Sequence, residues 1–207
     1  MNKIYILFLA IGISYSMKCN SQISYVEGYY INNSNQKIEG LIKNVDWENN
    51  PIEFEYKTTE QAEKKTLTIE SVKEFGINNV SKYIRLDVNI DRFSNNLDLL
   101  SSDKNPIFKK EVLFLKVLIE GDASFLLYKD KSLTRYFYQT SNQDIVQLIY
   151  KEYKTPENKI GTNNEFRRQL FNNLKCSDIS MDDVKNIDYE KKALLKFFTK
   201  YNNCNNS

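Results

Sequence analysis

Three consecutive strand-like segments in the second half of the chain most constrain how it can fold. Glu111–Glu120, Ala123–Tyr128 and Leu133–Gln139 are rich in β-branched and aromatic residues, and only short polar turns separate them. This pattern predicts an antiparallel meander of three strands. A meander buries one apolar face, so it needs further strands or helices to cover that face.

The first half of the chain continues the β pattern through residues 24–92. Tyr25–Ile31 and Lys37–Lys43 flank a turn of asparagine, serine and glutamine residues, which predicts a hairpin. Gly28 and Gly40 each follow a glutamate inside these two segments. Because a glycine within a strand often marks a bulge or bend, we expect the sheet to curl there toward a partial barrel.

The period of the apolar residues changes from two to that of a helix after residue 140. Helices are predicted from Ser141, from the capping-box spacings Thr162–Glu165 and Ser180–Asp183, and over Tyr189–Tyr201. A third capping-box spacing, Ser71–Glu74, predicts one helical turn inside the β region. Strands followed by helices indicate an α+β fold, with an antiparallel β domain at 22–140 and a helical segment at 141–207 packed on it.

The N-terminal 21 residues have the composition of an export signal. Lys3 supplies positive charge, and the apolar run Ile4–Ile13 is too short to cross a bilayer as a helix, which needs about 20 apolar residues. Cleavage is predicted after Ser16 or Ser21. The alternative is a lipoprotein acylated at Cys19. We therefore expect a periplasmic or secreted protein, with no transmembrane helix in the mature chain.

The predicted compartment determines what we expect of the cysteines. If Cys19 leaves with the signal, Cys176 and Cys204 are the remaining pair, and an even number in an oxidising compartment predicts a disulfide. The bond would tie the last helix to its neighbour and stabilise the fold by roughly 3 kcal/mol.

Composition excludes several kinds of function. Histidine is absent and the formal net charge is +2, with lysine and glutamate interspersed, so neither a zinc site nor a nucleic-acid groove is predicted. There is no phosphate-binding loop or serine nucleophile elbow. No metal, cofactor or catalytic residue is therefore predicted.

One acidic stretch has the spacing of calcium ligands. Asp87, Asn89, Asp91 and Asp98 repeat at EF-hand intervals, but Arg92 stands where the loop requires glycine. Apolar residues alternate with these acids, which favours a strand with one solvated face.

The abundant aromatic residues, 14 Tyr and 12 Phe, predict an aromatic β core. Alternatively, tyrosines and Trp47 form stacking platforms for a sugar or peptide. Arg135, beside Tyr136, Phe137 and Tyr138, suggests either a cation–aromatic surface or an exposed arginine that covers the strand.

A family resemblance rests on five parts of the chain: the run from Val26 to Lys57, the segments ESVKEFGI, SKYIRLDVNIDR and LFLKVLIEG, and the tail KYNNC. They resemble uncharacterised exported proteins typical of flavobacteria-type organisms. Some of those proteins bear a tRNA-modification GTPase label, which is not transferred here because this chain lacks the nucleotide-binding loop. The resemblance implies export and no catalytic residue.

Three functions are compatible with these observations. The first is an exported non-catalytic domain that binds a protein partner or a cell-envelope component. The second is an exported hydrolase that acts on envelope polymers through paired carboxylates. The third is a sugar or peptide binder with aromatic platforms.

Overall fold

The computed structural model describes residues 24–94 and 96–204 of the 207-residue chain, with Leu97 described in its backbone alone. The predicted export signal, both candidate cleavage positions and Cys19 lie outside the described residues. In the described part of the chain, no helix is both long and apolar enough to cross a membrane.

Ten strands of the described residues form one open, antiparallel sheet in the spatial order β10-β9-β8-β7-β6-β5-β1-β2-β3-β4. Its strands are β1 Ser24–Asn32, β2 Lys37–Asn44, β3 Glu53–Lys57, β4 Lys65–Thr68, β5 Val72–Ile77, β6 Ser81–Asp91, β7 Phe108–Ile119, β8 Ala123–Asp130, β9 Leu133–Thr140 and β10 Gln143–Gln147. Consecutive strands are neighbours in the sheet except for β4 and β5: β4 lies at one edge, and β5 pairs with β1 instead. Short turns join most neighbours, which is why the pairing is antiparallel.

The remaining elements follow the sheet in sequence. A separate hairpin joins β11 (Lys151–Lys154) to β12 (Ile160–Asn163). The α-helices of the described residues come last: α1 Glu165–Asn173, α2 Met181–Lys185 and α3 Lys191–Cys204. An antiparallel sheet followed by helices confirms the α+β class.

The predicted helix from Ser141 is wrong, because this segment extends the sheet as β10. Val146 and Gln147 pair with Tyr138 and Phe137 of β9. Ile145 packs on one face of the sheet, while Val146 packs on the opposite face with the helices. The free edge of β9 offers backbone hydrogen-bond partners to this segment. The free energy of that pairing outweighs the preference for a helix that the spacing of its apolar side chains indicates.

Two of the capping-box assignments also differ from the structure. Ser71 ends a turn in which its hydroxyl donates to the Thr68 carbonyl (3.0 Å), and the fully buried Val72 starts β5 in place of a helical turn. Thr162 lies in β12, and α1 begins at Glu165. The third assignment is confirmed, since the Ser180 amide donates to Asp183 Oδ2 (2.8 Å) at the start of α2.

Stacked aromatic rings fill the core on both halves of the sheet. Phe125 of β8 stacks on Phe198 of α3 with ring centroids 4.5 Å apart, which fixes the helices to the sheet. Phe75 of β5 stacks between Phe54 and Tyr83, at 4.1 and 4.9 Å. Such pairs add to the stabilisation from apolar burial.

The last helix is tied to the preceding segment by a disulfide. Cys176 and Cys204 lie at disulfide distance, with Cα atoms 6.4 Å apart and a sequence separation of 28. Leu194, Phe197 and Phe198 of α3 are buried independently of this bond. The bond therefore acts mainly by restricting the unfolded chain.

Reduction of this bond is expected to lower the free energy of unfolding by about 2–3 kcal/mol without removing α3 from the fold. Urea unfolding followed by circular dichroism, with and without reducing agent, measures the difference. A Cys176→Ser/Cys204→Ser variant is the control and should not respond to the reductant. An unchanged urea midpoint for the reduced native chain would contradict the prediction.

Candidate functional site: a polar cleft between the sheet and the helices

The residues singled out in the sequence do not gather at one site. Asp87 and Asn89 are exposed on β6, whereas Asp91 on the same strand is fully buried. The prediction of a strand with one solvated face is therefore correct for Asp87 and Asn89, whereas Asp91 belongs to the same strand but is not on a solvated face. Trp47 is half-buried, with its ring edge-on to Phe75 and Tyr83. No tyrosine or tryptophan among the described residues is exposed, which leaves little for a stacking platform.

The structure instead forms a cleft of about 480 Å³ where the sheet, the β11–β12 hairpin and the helices meet. Its lining includes Thr134, Tyr150, Asn164, Arg167, Asp188 and Glu190. These residues come from β9, the segment between β10 and β11, the start of α1 and the connection between α2 and α3. The volume is typical of sites for small ligands.

Two stacked tyrosines form a rigid wall of this cleft. The rings of Tyr150 and Tyr189 lie 4.7 Å apart with an interplanar angle of 10°. The Tyr189 hydroxyl donates to the Leu148 carbonyl (3.0 Å) and accepts from the Tyr136 amide (3.1 Å). Burial raises the pKa of Tyr189, so its hydroxyl stays protonated and keeps this donor.

Helix α1 holds the charged part of the cleft against β10. The Gln169 side chain accepts from the Ile149 amide (2.8 Å) and donates to the Gln147 carbonyl (3.0 Å). Two residues earlier on the helix, Arg167 Nε donates to the Ile187 carbonyl (3.0 Å). This bond places the Arg167 guanidinium beside the connection that carries Asp188 and Glu190.

Charges of both signs act on the Tyr150 hydroxyl. Burial raises the pKa of Tyr150, and its hydrogen bond to Glu152 Oε1 (3.1 Å) raises it further. Arg167 lowers the pKa of Tyr150 and Asp188 raises it. The Arg167 and Asp188 side chains are thus within electrostatic reach of one hydroxyl in the cleft.

A buried polar network lies directly behind the cleft because the side chains of a strand alternate between faces. Arg135, Lys151 and Asn163 each follow a cleft residue in sequence, and all three are buried. Arg135 is fully buried, so the expectation of an exposed arginine on β9 is wrong.

The network holds both ends of the connection between β6 and β7, at Phe93 and at Lys104–Asn105, through backbone carbonyls. Arg135 Nη2 donates to Phe93 O (2.6 Å), Lys151 Nζ to Asn105 O (2.8 Å) and Asn163 Nδ2 to Lys104 O (3.1 Å). The Lys151 ammonium also lies 4.0 Å from the centre of the Phe93 ring. These bonds give the cleft a fixed base.

Asp91 completes this network at the end of β6. Its amide donates to Gln147 Oε1 (2.9 Å), which connects the ends of β6 and β10. Its carbonyl accepts from Arg135 Nε (2.9 Å). Among the described residues, the buried Oδ2 atom of Asp91 has no hydrogen-bond partner.

A second concavity, of about 500 Å³, lies on β5–β7 but its charges are already paired. Lys82 Nζ lies 2.7 Å from Glu120 and 3.5 Å from Glu74, and the Tyr29 hydroxyl donates to Glu74 (2.7 Å). A ligand there would have to break these pairs. The cleft beside Arg167 is therefore the stronger candidate.

One side-chain group of the described residues has the composition of a metal site. The ligand atoms of Cys176, Asp178 and Cys204 lie within 4.8 Å of one another. The two sulfurs are joined in the disulfide, so they offer no thiolate to a metal.

Sequence reasoning missed the cleft. Its lining residues are ordinary polar residues in separate segments, and no local motif marks them. The chain matches no protein-family model, and its comparison with curated proteins and with solved structures gave no significant match.

Proposed function

We propose that this protein is an exported, non-catalytic binding domain whose cleft holds a polar part of a cell-envelope component. One observation carries the proposal: among the described residues, Arg167, Asp188 and Glu190 line one cleft, yet none of them is in an ion pair. Some other charges of the helical segment are paired, such as Glu165 with Arg168 and Asp183 with Lys200.

Export is the second part of the proposal. The N-terminal signal pattern and the resemblance to exported proteins support it, and the disulfide is of the kind that persists in an oxidising compartment. A protein partner is compatible with the same cleft, provided that it presents a polar segment.

Retention of the purified protein on isolated cell envelopes tests the proposal. We expect the variants Arg167→Gln and Asp188→Asn/Glu190→Gln to lose at least about tenfold in affinity, since each removes charge-assisted hydrogen bonds. Arg168→Gln is the matched control, because Arg168 lies next to Arg167 in sequence but outside the cleft lining.

Equal retention of the native protein and the cleft variants would contradict the proposal, as would no retention of the native protein. Thermal unfolding of each variant establishes that it is folded. The Asp188 and Glu190 carboxylates accept no hydrogen bond from the described residues, so their replacement should leave the fold intact.

A hydrolase is the second candidate because two carboxylates, Asp188 and Glu190, line the same cleft. Enzymes of this kind rely on burial to raise the pKa of the general acid, whereas both of these side chains are exposed. Binding is therefore favoured. Release of soluble sugars from envelope polymers by the native protein, and its loss in Asp188→Asn, would establish the hydrolase instead.

A further inference from the structure

The cleft combines charges of opposite sign that do not neutralise each other. Arg167 contributes one positive charge, and Asp188 and Glu190 contribute two negative charges, so these three side chains sum to −1. In the described part of the chain, no ion pair joins Arg167 to either carboxylate. Unpaired charges held apart in one concavity are complementary to a ligand that carries both signs itself.

Arg167 is the residue of this cleft that can bind a negative group. Helix α1 starts beside the cleft, but its first backbone amides are already bonded: Glu165 N to Asn163 Oδ1 (3.0 Å), Phe166 N to Ile149 O (2.8 Å). The helix N-terminus is therefore not an open anion site. Arg167 uses Nε for the Ile187 carbonyl and has no partner at its Nη atoms among the described residues, which leaves them to bind a carboxylate.

Asp188 and Glu190, in the connection between α2 and α3, can bind a positive group. Asp188 and Glu190 flank Tyr189, whose ring and hydroxyl are fixed by the stack on Tyr150 and the bonds to Leu148 and Tyr136. The Glu190 amide donates to the Asp188 carbonyl (2.8 Å), which holds the two residues in a tight turn. Two carboxylates on a fixed turn suit an ammonium group.

We infer that the cleft binds a small zwitterionic group with a free carboxylate and a free ammonium group, as in an amino acid. The inference rests on the proposed function and names the polar group that is bound. Arg167 holds the carboxylate and the Asp188–Glu190 turn holds the ammonium. Because these side chains sum to −1, a ligand with a second ammonium group binds more tightly than one without it.

Isothermal titration of the purified protein with lysine tests this inference. Alanine lacks the second ammonium, lysine amide lacks the carboxylate, and Nα-acetyl-lysine lacks the α-ammonium. We expect lysine to bind more tightly than alanine, and the amide and acetyl forms to bind at least about tenfold more weakly than lysine.

The variants assign each charge to its partner. Arg167→Gln should weaken lysine binding at least about tenfold and remove the difference between lysine and lysine amide. Asp188→Asn should reduce the difference between lysine and Nα-acetyl-lysine, whereas the control Arg168→Gln should preserve both differences.

Each remaining outcome overturns the inference. If lysine and alanine do not bind while envelope retention still depends on Arg167 and Asp188, the proposed function stands and the inference of a zwitterionic ligand is wrong. If lysine binds equally to the native protein and the cleft variants, it binds elsewhere. If both assays are insensitive to the cleft variants, the cleft is not the binding site.

Discussion

Replacement of Arg135 by methionine is expected to lower the free energy of unfolding by about 3–5 kcal/mol. The guanidinium of Arg135 is fully buried and donates to three backbone carbonyls: Asp91 O (2.9 Å), Thr134 O (2.9 Å) and Phe93 O (2.6 Å). Methionine keeps the apolar stem but leaves these acceptors without a donor. The buried Asp91 carboxylate also loses a nearby positive charge.

The physical reason is the cost of an uncompensated polar group in the interior. Burial lowers the pKa of Arg135, but an arginine remains charged at every ordinary pH. The positive charge therefore stabilises the carbonyls around it throughout the usual pH range. Once it is removed, water cannot replace it without opening the 92–107 connection.

Urea unfolding followed by circular dichroism measures this loss. Arg168→Met is the matched control: Arg168 is exposed and pairs with Glu165, so its replacement should cost less than about 1 kcal/mol. Similar losses for the two variants would show that the buried network contributes no more than a surface ion pair.

Replacement of Gly28 by valine is expected to destabilise the protein by more than about 3 kcal/mol. Gly28 lies in β1, between Gly40 of β2 and Ile77 of β5. A Cβ atom at this position would lie 2.4 Å from the Gly76 carbonyl oxygen and 3.0 Å from Ile42 Cδ1. Relief of the first contact requires a shift of the β5 backbone, which pairs with two other strands.

The sign of the stability change in Gly28→Val distinguishes two explanations for the presence of glycine at this position. Valine is among the best strand formers, so intrinsic preference alone predicts a gain in stability. Close backbone approach predicts a large loss. Gly161→Val is the control, because the atoms nearest to its Cβ belong to the side chain of Tyr153, which is half-buried and can rotate. The urea midpoint should fall much less for Gly161→Val, and a midpoint for Gly28→Val at or above the native value would contradict the prediction.

The bulge expected at a glycine within a strand does not occur at Gly28. Gly28 pairs with Gly40 in continuous register, and the register of β1 against β5 shifts only between Ile31 and Asn32. No glycine in the described part of the chain has a positive φ. Gly28 is required because another strand's carbonyl occupies the space of a side chain.

A segment could be predicted from the sequence where the spacing of its apolar residues fits the secondary structure that it adopts in the fold. β7, β8, β9 and α3 lie within a few residues of their predicted positions, and Cys176 and Cys204 meet as the cysteine count predicts. β10 could not be predicted, because its conformation depends on the free edge of β9 and not on its own spacing.

The α+β class, the order of strands before helices and the pairing of the two late cysteines can all be inferred from the amino-acid sequence. These properties depend on residue type and short-range period, which a local segment carries within itself. Tertiary packing is what buries Arg135 together with Asp91 and brings Arg167 and Asp188 into the lining of one cleft. Such contacts join residues tens of positions apart, and the free energy that selects them arises only when the strands and helices have packed.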